Sequence, residues 1–155
     1  MQASTILYEK IKKAITATML SNDDGRTLRL NVLRGLKSSI DLEVKEAFGP
    51  TDVLTVGDEL TEKVLVRELK KRQDSMEQYA KVGATELHDK EAAEAKIILG
   101  YLPQQLDVAE VEVKIDEVIA SVGKNIGPVM KAMKAWAGAR FPGKALADLV
   151  KAKLA

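Results

Sequence analysis

The chain has 155 residues, 46% of them apolar, no cysteine, and 30% charged side chains that nearly cancel to a net charge of +1. That size and composition supply core for one medium domain or two small ones. The charge balance excludes a protein drawn as a whole to polyanions or membranes, and the missing cysteines exclude disulfides, thiolate catalysis and cysteine-bound zinc while fitting a reducing cytoplasm.

Helical periodicity begins at once. Leu7, Ile11, Ala14 and Thr18, with Tyr8, Ile15 and Met19 beside them, predict a first helix from about Ser4 to Leu20. Lysines interrupt the apolar stretch of MQASTILYEKIKK, so it reads as this helix and not as a signal peptide. NDDG makes a turn. Asp24 is the expected N-cap of a second helix, whose face of Leu33, Leu36, Ile40, Val44 and Ala47 runs to Phe48 before Gly49-Pro50 ends it. VLTV at 53–56 is the one stretch with extended character. Thr55 followed by Asp58 reads as a variant capping box for a long third helix lined by Leu65, Leu69, Met76 and Tyr79, with Gly83 as its stop. Thr85 is the expected cap of a fourth helix, with Leu87, Ala92, Ala95, Leu99 and Leu102 as its apolar positions.

That helix runs into ILGYLPQQL at 98–106, where Pro103 lacks an N–H and pushes Leu102 out of the helical region. A continuous helix through this point is not expected. Asp107 and Glu110 then form an acidic capping pair ahead of Val108, Val111, Ile115, Val118 and Val122, a fifth helix that Gly123 closes. Gly127-Pro128 puts proline at a first helical position, opening a sixth helix of Val129, Met130, Met133, Trp136 and Ala137. RFPGK interrupts, and Leu146, Leu149, Val150 and Leu154 mark a seventh. The expectation is an all-α protein of two helical bundles, a four-helix N-terminal module over 1–102 and a three-helix C-terminal module over 103–155. No apolar run approaches the ~20 residues of a membrane span.

The near-neutral total hides a gradient in the last third. Residues 103–123 carry five carboxylates against Lys114, whereas 124–155 carry Lys124, Lys131, Lys134, Arg140, Lys144, Lys151 and Lys153 against Asp148 alone. Cations spread over two short helices and a glycine-containing loop suit phosphate contact, since displacing condensed counterions drives nucleic-acid binding. The bland counterpart is a set of lysines that merely solvate exposed helix faces. RELKKRQ at 67–73 is a second basic cluster, with Arg67, Lys70, Lys71 and Arg72 beside Glu68, and carries the same two readings.

Catalytic constellations are missing from the pattern. His88 is the only histidine and, with Glu91 a turn away, supplies two ligands at most, so neither a metal nor another cofactor is expected. No glycine-rich phosphate loop, metal-binding helix motif or nucleophile elbow occurs. Trp136 and Phe141 can stack on bases but read more simply as core of a small module.

LNVLRGLKSSI at 30–40, RELKKRQDSMEQYAKVGATEL at 67–87, EAKIILGYLPQQL at 94–106 and IGPVMKAMK at 126–134 stand in the order of the signatures of the YqeY family, and the chain resembles that family over nearly its whole length. The family is related to the tail domain of the GatB subunit of tRNA-dependent amidotransferases, in which ammonia from glutamine amidates a mischarged tRNA. The resemblance implies an all-helical fold and a non-catalytic module that binds tRNA or amidotransferase subunits in carbon–nitrogen ligase systems with glutamine as amido-N-donor. It assigns the contact to the stretch from Ile126 to Lys144, at Gly127, Lys131, Arg140, Gly143 and Lys144, where the basic gradient adds Lys134. Two departures stand out: the family commonly has lysine where Pro128 stands, and a glycine-arginine-alanine-aspartate-glycine turn where this chain has Ala139-Arg140-Phe141-Pro142-Gly143. A helical adaptor that binds another protein without RNA is the alternative.

Overall fold

A computed structural model of the protein describes residues 6–49 and 57–155. Thr55 and the VLTV stretch lie outside the described residues. Those described form seven α-helices and no strand, an all-helical fold.

Helix α1 (Ile6–Leu20) starts with the Leu7 N–H donating to Asp58 Oδ1 at 2.9 Å. Its far end is closed from outside. The last carbonyls of a helix lack intrahelical donors, and Arg26, at the start of α2 (Arg26–Phe48), reaches back with Nε to the Thr18 carbonyl at 3.2 Å and Nη2 to the Met19 carbonyl at 2.9 Å. Arg29 adds bonds to Thr18 Oγ1, Ser21 Oγ and Asp23 Oδ2, and the bond to Asp23 holds that carboxyl below the usual aspartate range. The expected Asp24 cap is therefore corrected: Gly25 precedes α2 and no side chain caps it, because the acidic residue engaged by Arg29 is Asp23.

Tyr8, Ile11, Leu33, Leu36, Ile40, Val64, Leu65 and Ile98 are buried around these helices and α3 (Asp58–Lys81) and α4 (Thr85–Leu99). The Tyr8 hydroxyl donates to Asp41 at 2.5 Å, and Lys37 donates to the other Asp41 oxygen at 2.7 Å. Burial, and then that hydrogen bond, push the Tyr8 phenol well above its ordinary value, so it stays protonated as a donor.

The turn from α3 to α4 is a complete Schellman motif. Gly83 adopts φ +71°, its N–H reaches the Ala80 carbonyl at 3.3 Å, and the Ala84 N–H reaches Tyr79 at 3.0 Å. Thr85 is the first residue of α4 and Ala84 its cap, without a side-chain bond, because the Schellman turn uses up the residues a side-chain cap would occupy. The buried stripe of α4 runs through Ala95 and Ile98, while Leu87 and Leu99 are exposed: Ile98, one turn on from Ala95, takes the inward place. The helix ends at Leu99, four residues before Pro103, in tight turns from Tyr101 N–H to the Ile98 carbonyl (3.0 Å) and from Leu102 to Leu99 (3.3 Å). Leu102 is buried but lies beyond the helix.

Backbone packing divides the chain into two compact units, Met1–Leu102 and Pro103–Ala155. In the second, Val111, Ile115 and Val118 of α5 (Val108–Val122), Val129, Met133 and Ala137 of α6 (Ile126–Ala137), and Leu146 and Val150 of α7 (Gly143–Leu154) surround a core that Phe141 completes. α5 opens with a full capping box: Asp107 Oδ1 accepts from the Glu110 N–H at 2.7 Å, and Glu110 Oε2 accepts from the Asp107 N–H at 3.0 Å. At α6 the expected start is displaced by two residues. Asn125 is the N-cap, bonded to the Gly127 N–H, which makes Pro128 the third helical residue; its missing N–H costs nothing there, since the first-turn N–H groups have no intrahelical acceptor.

Candidate nucleic-acid interface

The charge gradient of the second unit becomes a geometry once its helices are in place. α6 carries no acidic residue, and its buried positions at Val129, Met133 and Ala137 leave Gly127, Pro128, Lys131, Lys134 and Ala135 on the exposed side. Lys131 and Lys134 are one helical turn apart and so project together. On α7, Lys144 and Lys151 are exposed while Leu146 and Val150 face the core. Lys124 is exposed immediately ahead of the Asn125 cap. Among the described residues, none of these five ammonium groups has an ion-pair or hydrogen-bond partner. Asp148, the one carboxylic side chain of residues 124–155, lies between Lys144 and Lys151 on α7 and forms no ion pair with either.

Two cations of the same stretch are used internally. The Arg140 guanidinium donates from Nη2 to the Trp136 carbonyl and from Nε to the Ala137 carbonyl, closing the C-terminal end of α6 through the 3-10 turn Gly138–Arg140, and its carbon lies 5.0 Å from the centre of the Trp136 ring. Lys114 of α5 stands 5.7 Å from the same ring. Lys153 pairs with Asp116 of α5 at 3.1 Å. The Arg140 carbonyl also accepts from the Leu106 N–H at 2.8 Å, and Gln105 Nε2 bonds the Pro103 and Ala139 carbonyls at 3.0 Å, so the turn that holds Arg140 also fastens the segment leading into α5. Phe141 is buried and Trp136 half-buried, in keeping with packing roles. Gly143 and Lys144 open α7, and Gly127 lies in the first turn of α6, so the six residues singled out in the sequence occupy two helix starts, one helix face and one turn. Lys124 and Lys151 join the exposed set without belonging to any signature; the basic gradient along residues 124–155 was the signal that marked them.

The basic run on α3 behaves otherwise. Arg67 Nη1 and Nη2 both reach Glu43 Oε2 at 3.2 Å, Lys70 pairs with Asp74, and Lys71 and Arg72 bond Glu68 at 3.1 and 2.7 Å. Arg72 also faces Glu94 of α4 at 3.6 Å, and Ser39 of α2 donates to Glu68. Burial works against the Glu68 charge, but the bonds from Lys71 and Arg72 prevail and hold its carboxyl below the usual range. The sequence shows four cations and one anion there; the fold supplies Glu43, Asp74 and Glu94, and the cluster becomes a tie between α2, α3 and α4.

His88 lies in α4 with Nδ1 3.0 Å from Asp89 Oδ1, and no group of three or more possible metal ligands occurs among the described residues. No helix among them is long and apolar enough to cross a membrane.

The family model of the Yqey-like proteins matches residues 8–154. The chain belongs to the YqeY-like family. A YqeY-like relative, the "Altered inheritance of mitochondria protein 41, mitochondrial" of Lachancea thermotolerans, is 28% identical over 152 residues, covering 93% of this chain and 76% of its own. The signatures that carry the resemblance, from Leu30 through Lys134, all fall inside the matched region of this YqeY-like chain.

Proposed function

We propose that this YqeY-like chain is a non-catalytic tRNA-binding module, associated with tRNA-dependent amidotransferase systems and working in the cytoplasm. The observation that carries the reading is the set of five exposed lysines on the second unit that have no partner among the described residues. An ammonium on a flexible stem that spends no charge inside the protein is free to displace counterions from a phosphate backbone. The contact set centres on Gly127, Lys131, Lys134, Gly143 and Lys144, while Arg140 shapes the turn between α6 and α7 through its bonds to the Trp136 and Ala137 carbonyls. Amidation itself falls to other subunits, for which this chain would present the RNA.

The test is an anisotropy titration of deacylated tRNA at several salt concentrations, with the wild type and a Lys131→Ala/Lys134→Ala/Lys144→Ala variant. Binding that weakens steeply with salt, and whose log–log slope falls by about 2 to 3 in the variant, supports the reading. Absence of binding at low salt removes it. Exposed Leu20, Leu42, Phe48 and Val82 on the first unit favour a second reading, an adaptor for another protein, which predicts a complex that tolerates high salt.

A further inference from the structure

Resting on the tRNA-binding reading, we infer that the second unit grips the duplex stems of RNA through their phosphates alone, without reading bases. The contact set is Lys124, Lys131, Lys134, Lys144 and Lys151, and Arg140 stands outside it. The side chains available on the unit carry this.

Reading a base edge takes planar, paired donors and acceptors such as arginine, asparagine or glutamine present. Residues 103–155 hold one arginine, one asparagine and two glutamines. Arg140 is occupied by the carbonyls at the end of α6, Asn125 caps α6, and Gln105 bonds two carbonyls. Only Gln104 is left, in the segment before α5 and on neither of the lysine-bearing helices.

Single-stranded RNA is gripped chiefly by stacking its bases on exposed aromatic rings. The unit has two aromatic residues, of which Phe141 is in the core and Trp136 is half-buried beside Arg140 and Lys114. What remains outward among the cations is lysine, whose ammonium is a point charge suited to phosphate and lacks the planar fork that matches a base edge in two places. A duplex stem presents phosphates at fixed spacing and hides its bases, which matches this inventory.

Polarity adds an orientation. The outer side of α5 exposes Glu110, Asp116 and Glu117, so the unit is acidic on one helix and basic on the other two. A polyanion is repelled from α5 and accepted at α6 and α7.

The experiment uses the full chain and fluorescently labelled RNA: two duplexes of equal length and unrelated sequence, one of their single strands, and tRNA, each titrated over a salt series. The two duplexes should bind within about threefold of each other, and the single strand more weakly. Lys124→Ala/Lys151→Ala, at positions no signature marks, should lower the salt slope by about 2, Ala135→Glu should weaken every duplex, and Arg140→Gln should leave the slope unchanged. Circular dichroism establishes that each variant is folded. A preference above about tenfold between the duplexes, tighter binding of the single strand, or an unchanged slope in the Lys124/Lys151 variant overturns the inference. Binding of tRNA with both duplexes silent overturns it and leaves the tRNA reading standing, whereas no binding of any RNA at low salt removes both.

Discussion

Glu68 shows how much a single side chain can depend on its neighbours. The residue is 8% exposed, and its carboxylate survives there because Lys71, Arg72 and Ser39 all donate to it. A carboxyl held below its unfolded value releases its proton more readily in the folded chain, so its contribution is complete above the ordinary glutamate range and vanishes as pH falls through the depressed value. Urea denaturation should therefore find Glu68→Gln less stable than the wild type at pH 7, with the gap closing toward pH 3. Gly35 lies at the opposite extreme. It sits exposed in the middle of α2, and an added Cβ there meets no atom within 4 Å. Gly35→Ala should raise unfolding free energy by about 0.5–1 kcal/mol, read from denaturant midpoints, because alanine restricts the unfolded chain and fits the helix.

Helix ends decide most of what happens between elements. Asp107 and Glu110 were legible in advance because a capping box is a local pattern, three residues apart, that needs no knowledge of the rest of the fold. Removing its first member, Asp107→Ala, should cost about 1 kcal/mol in thermal or chemical unfolding. Gly83 was equally legible, and since only its positive φ opposes a side chain there, Gly83→Ala should cost about 1 kcal/mol through backbone strain alone. The caps expected at Asp24 and Thr85 failed for the opposite reason. α1 is closed by an arginine eight residues on, and α4 starts inside the Schellman turn of its predecessor. Both depend on how one helix end is tied to the start of the next, which a single-cap pattern does not carry even though the residues are close in sequence. Likewise the charges of RELKKRQ looked unbalanced because Glu43 and Glu94 are distant in sequence and Asp74 falls just past the end of the run.

At the scale of the molecule, a net charge of +1 describes neither unit. The second concentrates basic side chains on two helices and acidic ones on a third, and the difference was visible in sequence as a gradient although its faces were not. Periodicity revealed the helices; which lysines stayed unpaired required the fold. Each unit also has its own set of buried residues. Met133 is fully buried in the second, and Met133→Ala should cost about 2–5 kcal/mol. Calorimetry should show that loss as an early transition for the second unit, ahead of the melting of the first, accompanied by a parallel fall in tRNA affinity.

The bracket around Trp136 carries one more consequence. The chain holds a single indole, flanked by Arg140 and Lys114 at the junction of α6 with its closing turn. The indole emission, excited at wavelengths where tyrosine does not absorb, therefore arises from one spot, and any loosening of that junction will alter the colour and yield of the emitted light. The protein thus contains its own optical gauge, next to the face assigned to RNA, with no dye attached.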